Sequence, residues 1–251
     1  IACILYYRIW DCNLSMIPLD SDTEWKMTPT LSGWYHTEMD ADSFQLRIET
    51  LSYGGRGVGR HEDGRVVFVP RVIPGELVRV APLKYHRAYI EAETLEVIEP
   101  SPERVAPVCE HFAVCGGCDW QHLPYALQLE WKQRILLQEV EKLCAVRPDD
   151  IPAPVGVDEA YAYRSHARIQ CRYDPTLKSG FFMKKSRDIV AFEACPILNP
   201  RIQETLDHLR SILGRQRMYG LYSLEIHAPS DDILVLGRCR GTMRDGDLKA
   251  M

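Results

Sequence analysis

The chain has 251 residues, 46% hydrophobic and 26% charged, with nine cysteines and a net charge of −5. This suits two compact domains, or one with appendages, and no apolar run reaches the ~20 residues of a membrane helix. The negative charge excludes no nucleic-acid partner, because residues 1–42 hold seven acids against two bases and the remainder is balanced, so local clustering decides.

Residues 1–42 show no clear period. Ile1–Ile9 is apolar but lacks a basic flank and a small-residue cleavage site, and so reads poorly as a signal peptide. The segment is expected to be an extension foreign to the fold, with Met39 the candidate start. The expected compartment is a reducing cytoplasm, where clustered thiols point to metal or redox chemistry.

From Phe44 to about Glu99 short strands alternate with turns. Gln45–Thr50, Arg65–Val69, Glu76–Val80 and Ala88–Ile98 read as strands. Gly54–Gly59, Glu62–Gly64 and Pro70–Gly75 read as turns, as in a small OB-like barrel. Pro100, Pro102 and Pro107 mark a linker. Pro124 suits the first position of a helix to about Leu143, with Leu129, Leu136, Val140 and Leu143 on one face. Strands return at Ala162–Tyr173, Gly180–Lys185 and Asp188–Phe192, with Asp174–Gly180 as a turn. Asn199-Pro200 caps a helix to Leu213, and a hairpin of Leu221–Ala228 and Ile233–Arg238 follows.

Cys109-x5-Cys115-x2-Cys118 is a tight thiol cluster in a Cys-Gly-Gly-Cys turn. Neighbouring thiolates repel unless a cation joins them, and the glycines let amide N–H groups turn toward sulfur. Three ligands leave one vacancy on a tetrahedral ion or an iron–sulfur cubane. Of the downstream cysteines, Cys195 lies at a strand-to-helix junction able to reach across. Cys171 and Cys144 read as buried thiols, and Cys239 lies near the chain end. Gly55-x-Gly57-x-Gly59 is no dinucleotide loop, because a strand and not a helix follows it.

Basic residues gather at Arg56, Arg60, Arg65, Lys84 and Arg87, and again at Arg164, Arg168, Lys184, Lys185 and Arg187. Tyr53 and other aromatics are interleaved. Phosphate neutralisation beside aromatic stacking is the chemistry of single-stranded RNA binding.

Phe44–Glu99, with Tyr53-Gly-Gly-Arg-Gly-Val-Gly59, resembles a TRAM domain. Three further blocks follow in order: Cys109…Cys115-Gly-Gly-Cys118-x-x-Gln121-His122, Tyr163-Arg164-x-x-Ala167-Arg168, and Asp188-Ile-Val190…Cys195-Pro-Ile-Leu198. Together they resemble the bacterial 23S ribosomal RNA uracil-5-methyltransferases. The resemblance implies a 4Fe-4S cluster on Cys109, Cys115, Cys118 and Cys195. It also implies S-adenosylmethionine bound in a C-terminal Rossmann-like domain, where a cysteine adds to uracil C6 before methyl transfer to C5.

The expected fold is mixed and mainly β. A TRAM barrel over 43–100 precedes a truncated, cluster-bearing α+β central domain over 101–251, with the Rossmann-like methyltransferase domain absent and S-adenosylmethionine confined to that missing part. The expected role is the RNA-binding and iron–sulfur portion of a ribosomal RNA uridine C5-methyltransferase. The chain is expected to act as a monomer without a membrane, to contain no catalytic residue and to be inactive alone. Cys239, between Arg238 and Arg240, matches no nucleophile block. The alternatives are a stand-alone RNA-binding module stabilised by zinc and an electron-transfer protein.

Overall fold

In the computed structural model, residues 2–7, 42–144, 151–216, 220–229 and 232–240 are described. Two six-stranded sheets organise them. Strand β1 (Ala2–Tyr7) adds antiparallel to the edge of the second sheet. The first sheet is built from β2 (Phe44–Arg47), β3 (Thr50–Leu51), β4 (Gly57–Arg60), β5 (Val66–Val69), β6 (Leu77–Tyr85) and β7 (Tyr89–Glu99). Its order is β2-β6-β7-β5-β4-β3, antiparallel except for β5 beside β7. Leu46, Val67, Val69, Val78, Val80 and Ile90 alternate inward along these strands and, with Ile48 between β2 and β3, form its core.

The expected turn over Gly54–Gly59 is shorter in the fold, since Gly57–Arg60 is a strand. A Cβ on Gly57 would lie 2.1 Å from the Val72 side chain, and one on Gly59 2.5 Å from the Arg47 carbonyl oxygen. These glycines allow close backbone approach, a role that sequence alone does not separate from turn formation. Strand β6 also runs past Pro82 to Tyr85, with a register shift between Pro82 and Lys84. A bulge absorbs the missing donor there.

The second sheet contains β8 (His166–Tyr173), β9 (Leu177–Phe182), β10 (Ile189–Ala191), β11 (Leu221–His227) and β12 (Ile233–Cys239), in the order β1-β12-β11-β8-β9-β10. Helix α2 (Pro200–Gln216) lays Ile202, Leu206, Leu209 and Leu213 on Ala167, Ile169, Leu224 and Ile226. Asn199 caps it, its Oδ1 accepting the Arg201 N–H at 2.9 Å. By the two-residue period, the other sheet face carries His166, Arg168, Glu225 and His227.

Helix α1 (Tyr125–Cys144) buries Trp131 and Ile135 against Leu51 and Ile73 of the barrel and Leu123 of the preceding loop. The expected face is not the buried one, because Leu136 and Leu143 are 49% and 83% exposed. The helix has two apolar stripes, and the one bearing the larger Trp131 packs on the barrel. The linker is held by a buried ion pair. Glu76 accepts from Arg104 Nε at 2.6 Å and Nη2 at 2.7 Å, from Ser101 N at 3.1 Å and from Ile73 N at 2.8 Å.

Within the expected fold class, the absent Rossmann-like domain is corrected. These sheets and helices describe only the residues in hand, and a chain end does not measure the extent of a protein.

Candidate metal centre and nucleic-acid interface

The cysteine loop winds in short turns. Phe112 N–H donates to the Cys109 carbonyl at 3.1 Å, and Cys115 N–H to that of His111 at 2.8 Å. The loop then lies along the end of β9. Gly116 N–H donates to the Phe182 carbonyl at 2.9 Å, and Lys184 N–H to that of Val114 at 3.0 Å. A Cβ on Gly116 would fall 2.9 Å from the Phe182 oxygen, so only glycine permits this approach. The next residue, Gly117, points its N–H at the Cys115 sulfur, 3.4 Å away.

Cys195 arrives on a different segment. Ala162 N–H and Arg164 N–H each donate at 2.9 Å, to the carbonyls of Pro196 and Ile197. Leu198 N–H returns to the Cys195 carbonyl at 3.0 Å, and Cys195 N–H donates to Gln203 Oε1 at 3.2 Å. The loop before α2 is therefore fixed to the Tyr163–Arg164 segment.

Cys109, Cys115, Cys118 and Cys195 share one electrostatic neighbourhood. Burial pushes the Cys109, Cys118 and Cys195 thiols up. Cys115 and Cys118 raise Cys109 further, while Cys118 and Cys109 raise Cys195. Half-buried thiols that oppose one another's ionisation are suited to a shared cationic group that takes them as thiolates. Among the described residues, no three of these sulfurs lie within 4.8 Å of one another. A single tetrahedral zinc with Zn–S bonds of about 2.3 Å would draw its sulfurs to about 3.8 Å. A cubane spaces them more widely, because each cysteine binds a different iron. The residues present fit such a cluster in donor type.

Gln121, which sequence reasoning quoted but gave no role, bridges two of these cysteines. Its Oε1 accepts the Cys109 N–H at 3.0 Å, and its side chain hydrogen-bonds the Cys118 sulfur. Cys171 stands apart in the core under α2, its thiol pushed up to about 12 chiefly by burial. The side chain of Cys144 lies outside the described residues.

The basic candidates separate into groups. Arg56, Arg164, Arg168, Lys184 and Lys185 line one cleft of ≈1020 Å³ between the barrel and the second sheet. Tyr53, 80% exposed, opens instead on a cavity of ≈720 Å³ beside Cys118, Trp120 and Tyr163. Arg60, Arg65, Lys84 and Arg87 lie on the barrel outside both spaces, and Arg187 lines a smaller hollow with Tyr222. Several are already engaged: Arg65 pairs with Asp63, Arg168 with Glu225, and Lys184 with Asp119 at 2.7 Å. Among the described residues, Arg56, Arg164 and Lys185 have no carboxylate partner. Arg56 and Arg164 stand over the rings of Phe68 and Phe181, at 4.7 and 5.7 Å. Lys185 adopts a left-handed φ of 57° in the turn leading to β10.

Residues 43–95 match the TRAM domain model. Beyond that match, the chain is similar in sequence to ribosomal RNA uracil-C5-methyltransferases. Its sequence relatives include proteins named 23S rRNA (uracil(1939)-C(5))-methyltransferase RlmD. That of Alkalilimnicola ehrlichii is 37% identical over 72% of this chain and 41% of the relative. Those of Acidithiobacillus ferrooxidans and Xylella fastidiosa are 34% and 38% identical, over 84% and 69% of this chain and 48% and 40% of theirs. The chain thus spans less than half the length of these relatives.

A solved structure, Pyrococcus abyssi tRNA (uracil-54, C5)-methyltransferase with S-adenosyl-L-homocysteine, matches with a TM-score of 0.53 and 18% identity. It covers 82% of this chain and 48% of that one. This overturns the expectation of an absent Rossmann-like domain: the likeness covers about half of that chain and carries no evidence that the rest is missing. No helix among the described residues is long and apolar enough to cross a membrane.

Proposed function

We propose that this chain supplies the RNA-binding and cluster-bearing part of an S-adenosylmethionine-dependent ribosomal RNA uridine C5-methyltransferase. Its barrel (43–100) and central unit (101–251) hold RNA as a monomeric platform in the cytoplasm, and residues 1–42 are an extension to it. Cys109, Cys115, Cys118 and Cys195 hold a 4Fe-4S cluster. The cluster's work is to clamp the loop of residues 109–118 and the loop before α2 into one RNA-facing surface. No catalytic residue is assigned to the described residues.

The observation that carries this reading is the mutual electrostatic influence of half-buried thiols from two distant segments, with Val114, Gly116 and Gly117 of the cysteine loop lining the basic cleft. Anaerobic purification followed by a visible spectrum and iron, sulfide and zinc analysis tests the cluster. Brown absorption with four irons per chain is the expected result. A colourless protein with one zinc would instead support the zinc-stabilised RNA-binding module. RNA affinity measured against salt tests the platform, and a flat response would contradict phosphate-led binding.

A further inference from the structure

We propose that His166, His227 and Glu225 form a binding site for a divalent transition-metal ion on the open face of the second sheet, separate from the cysteine centre. His166 and His227 are directly opposed in the β8–β11 register, so their side chains leave the same face. Glu225, two residues before His227, lies on that face as well. Donor atoms of all three side chains lie within 4.8 Å of one another. Two imidazole nitrogens and a carboxylate oxygen suit Zn²⁺, Ni²⁺ or Cu²⁺ in preference to Mg²⁺ or Ca²⁺, which favour all-oxygen sets. All three residues stand on paired strands, which hold the donors' backbones in place.

The imidazole rings are stacked, with centroids 3.8 Å apart and planes 15° from parallel. A ligated ion lies in the plane of each imidazole, and planes so nearly parallel meet only far from the rings, so binding must turn one ring about its side-chain bonds. His166 is exposed and has room to turn, while His227 is half-buried and serves as the fixed ligand.

Glu225 is buried and held from both sides. Its Oε1 accepts from Arg168 and, at 3.1 Å, from Arg238, whereas Oε2 has only a 3.3 Å contact with Arg238. Oε2 therefore keeps lone-pair capacity for an ion. The two guanidinium groups oppose a cation and favour the ions that imidazole binds most strongly. By the general order of divalent affinities, Cu²⁺ binds above Zn²⁺. This inference stands independently of RNA binding and of the cysteine cluster.

The test titrates Zn²⁺ into the full chain with its cysteine centre as isolated, following the imidazole ¹⁵N resonances of His166 and His227 by NMR. The two resonances should move together and saturate at one ion per chain. His166→Ala should abolish the His227 response and lower the affinity at least about tenfold, and Glu225→Gln should weaken it in the same direction. Zinc uptake at the thiols with both imidazoles unmoved overturns the proposal. So does independent movement of the two rings. The wild-type titration decides even if a substituted chain folds poorly.

Discussion

The indole N–H of Trp120 donates to the backbone carbonyl of Gly55 at 3.2 Å, tying the loop that follows Cys118 to the tip of the barrel. A Cβ on Gly55 would lie 1.8 Å from Trp120 Nε1, and Gly55 has a φ of +73°. Close approach and left-handed backbone both demand glycine here. Gly55→Ala is expected to destabilise the chain by about 1–3 kcal/mol. Trp120→Phe, which removes one hydrogen bond, should cost about 1 kcal/mol. Urea unfolding measures both, and a Gly55→Ala midpoint equal to wild type would show that the junction is not held this way.

Gln121 holds Cys109 through its backbone and Cys118 through its sulfur. Gln121→Leu keeps the volume but removes both contacts. If the proposed cluster is present, its loss on exposure to air should quicken about 10–100-fold, the usual scale for removing a group that orients a ligand. The decay of visible absorbance measures this, and unchanged decay would leave Gln121 a packing residue.

The four proposed ligands should behave alike and unlike Cys171. Cys195→Ser and Cys118→Ser are each expected to strip iron and colour from the anaerobically purified chain. Cys171→Ala should retain both, with a stability loss of about 1 kcal/mol for the smaller core side chain. Iron retained by Cys195→Ser would shift the fourth ligand elsewhere.

His122 is buried, stacks obliquely on Phe112 and places Nε2 3.3 Å from the Val72 carbonyl, while Nδ1 has no partner among the described residues. Burial, followed by the charge of Arg104, lowers its pKa from 6.5 to about 4. An unfolded imidazole takes up a proton near 6.5, whereas the folded one does so only near 4, so the unfolded state binds more protons between these values. Stability should therefore fall as pH drops through that window, by about 2–4 kcal/mol from this group. Urea midpoints at a series of pH values should slope less in His122→Phe than in wild type.

Arg164 and Lys185 line the cleft without a carboxylate partner among the described residues, whereas Arg65 is held by Asp63. Arg164→Ala and Lys185→Ala should each weaken RNA binding alike for all sequences and lower the salt slope by about one. Arg65→Ala should change it less. Electrophoretic or fluorescence titration at several salt concentrations separates these outcomes, and equal effects at all three positions would mean that the cleft is not the RNA path.

Much was legible from local pattern. The strands of the barrel, the α2 cap at Asn199 and the closing hairpin follow two-residue alternation, capping chemistry and turn residues, which act over a few positions. The tight spacing of Cys109, Cys115 and Cys118 is local in the same way, as is the clustering of basic residues.

What the chain order could not decide was which surfaces meet. Gly57 and Gly59 look like turn residues until Val72 and the Arg47 carbonyl crowd them, and α1 offers two apolar stripes until the barrel selects Trp131. The same holds for the thiols. Cys195 comes near Cys118 only because Ala162 and Arg164 hydrogen-bond the Pro196–Ile197 backbone, and Gln121 gains its role only once Cys109 folds back onto it. Periodicity and spacing are properties of neighbouring residues. Long-range contacts depend on how separate elements pack, and the tertiary structure alone supplies that.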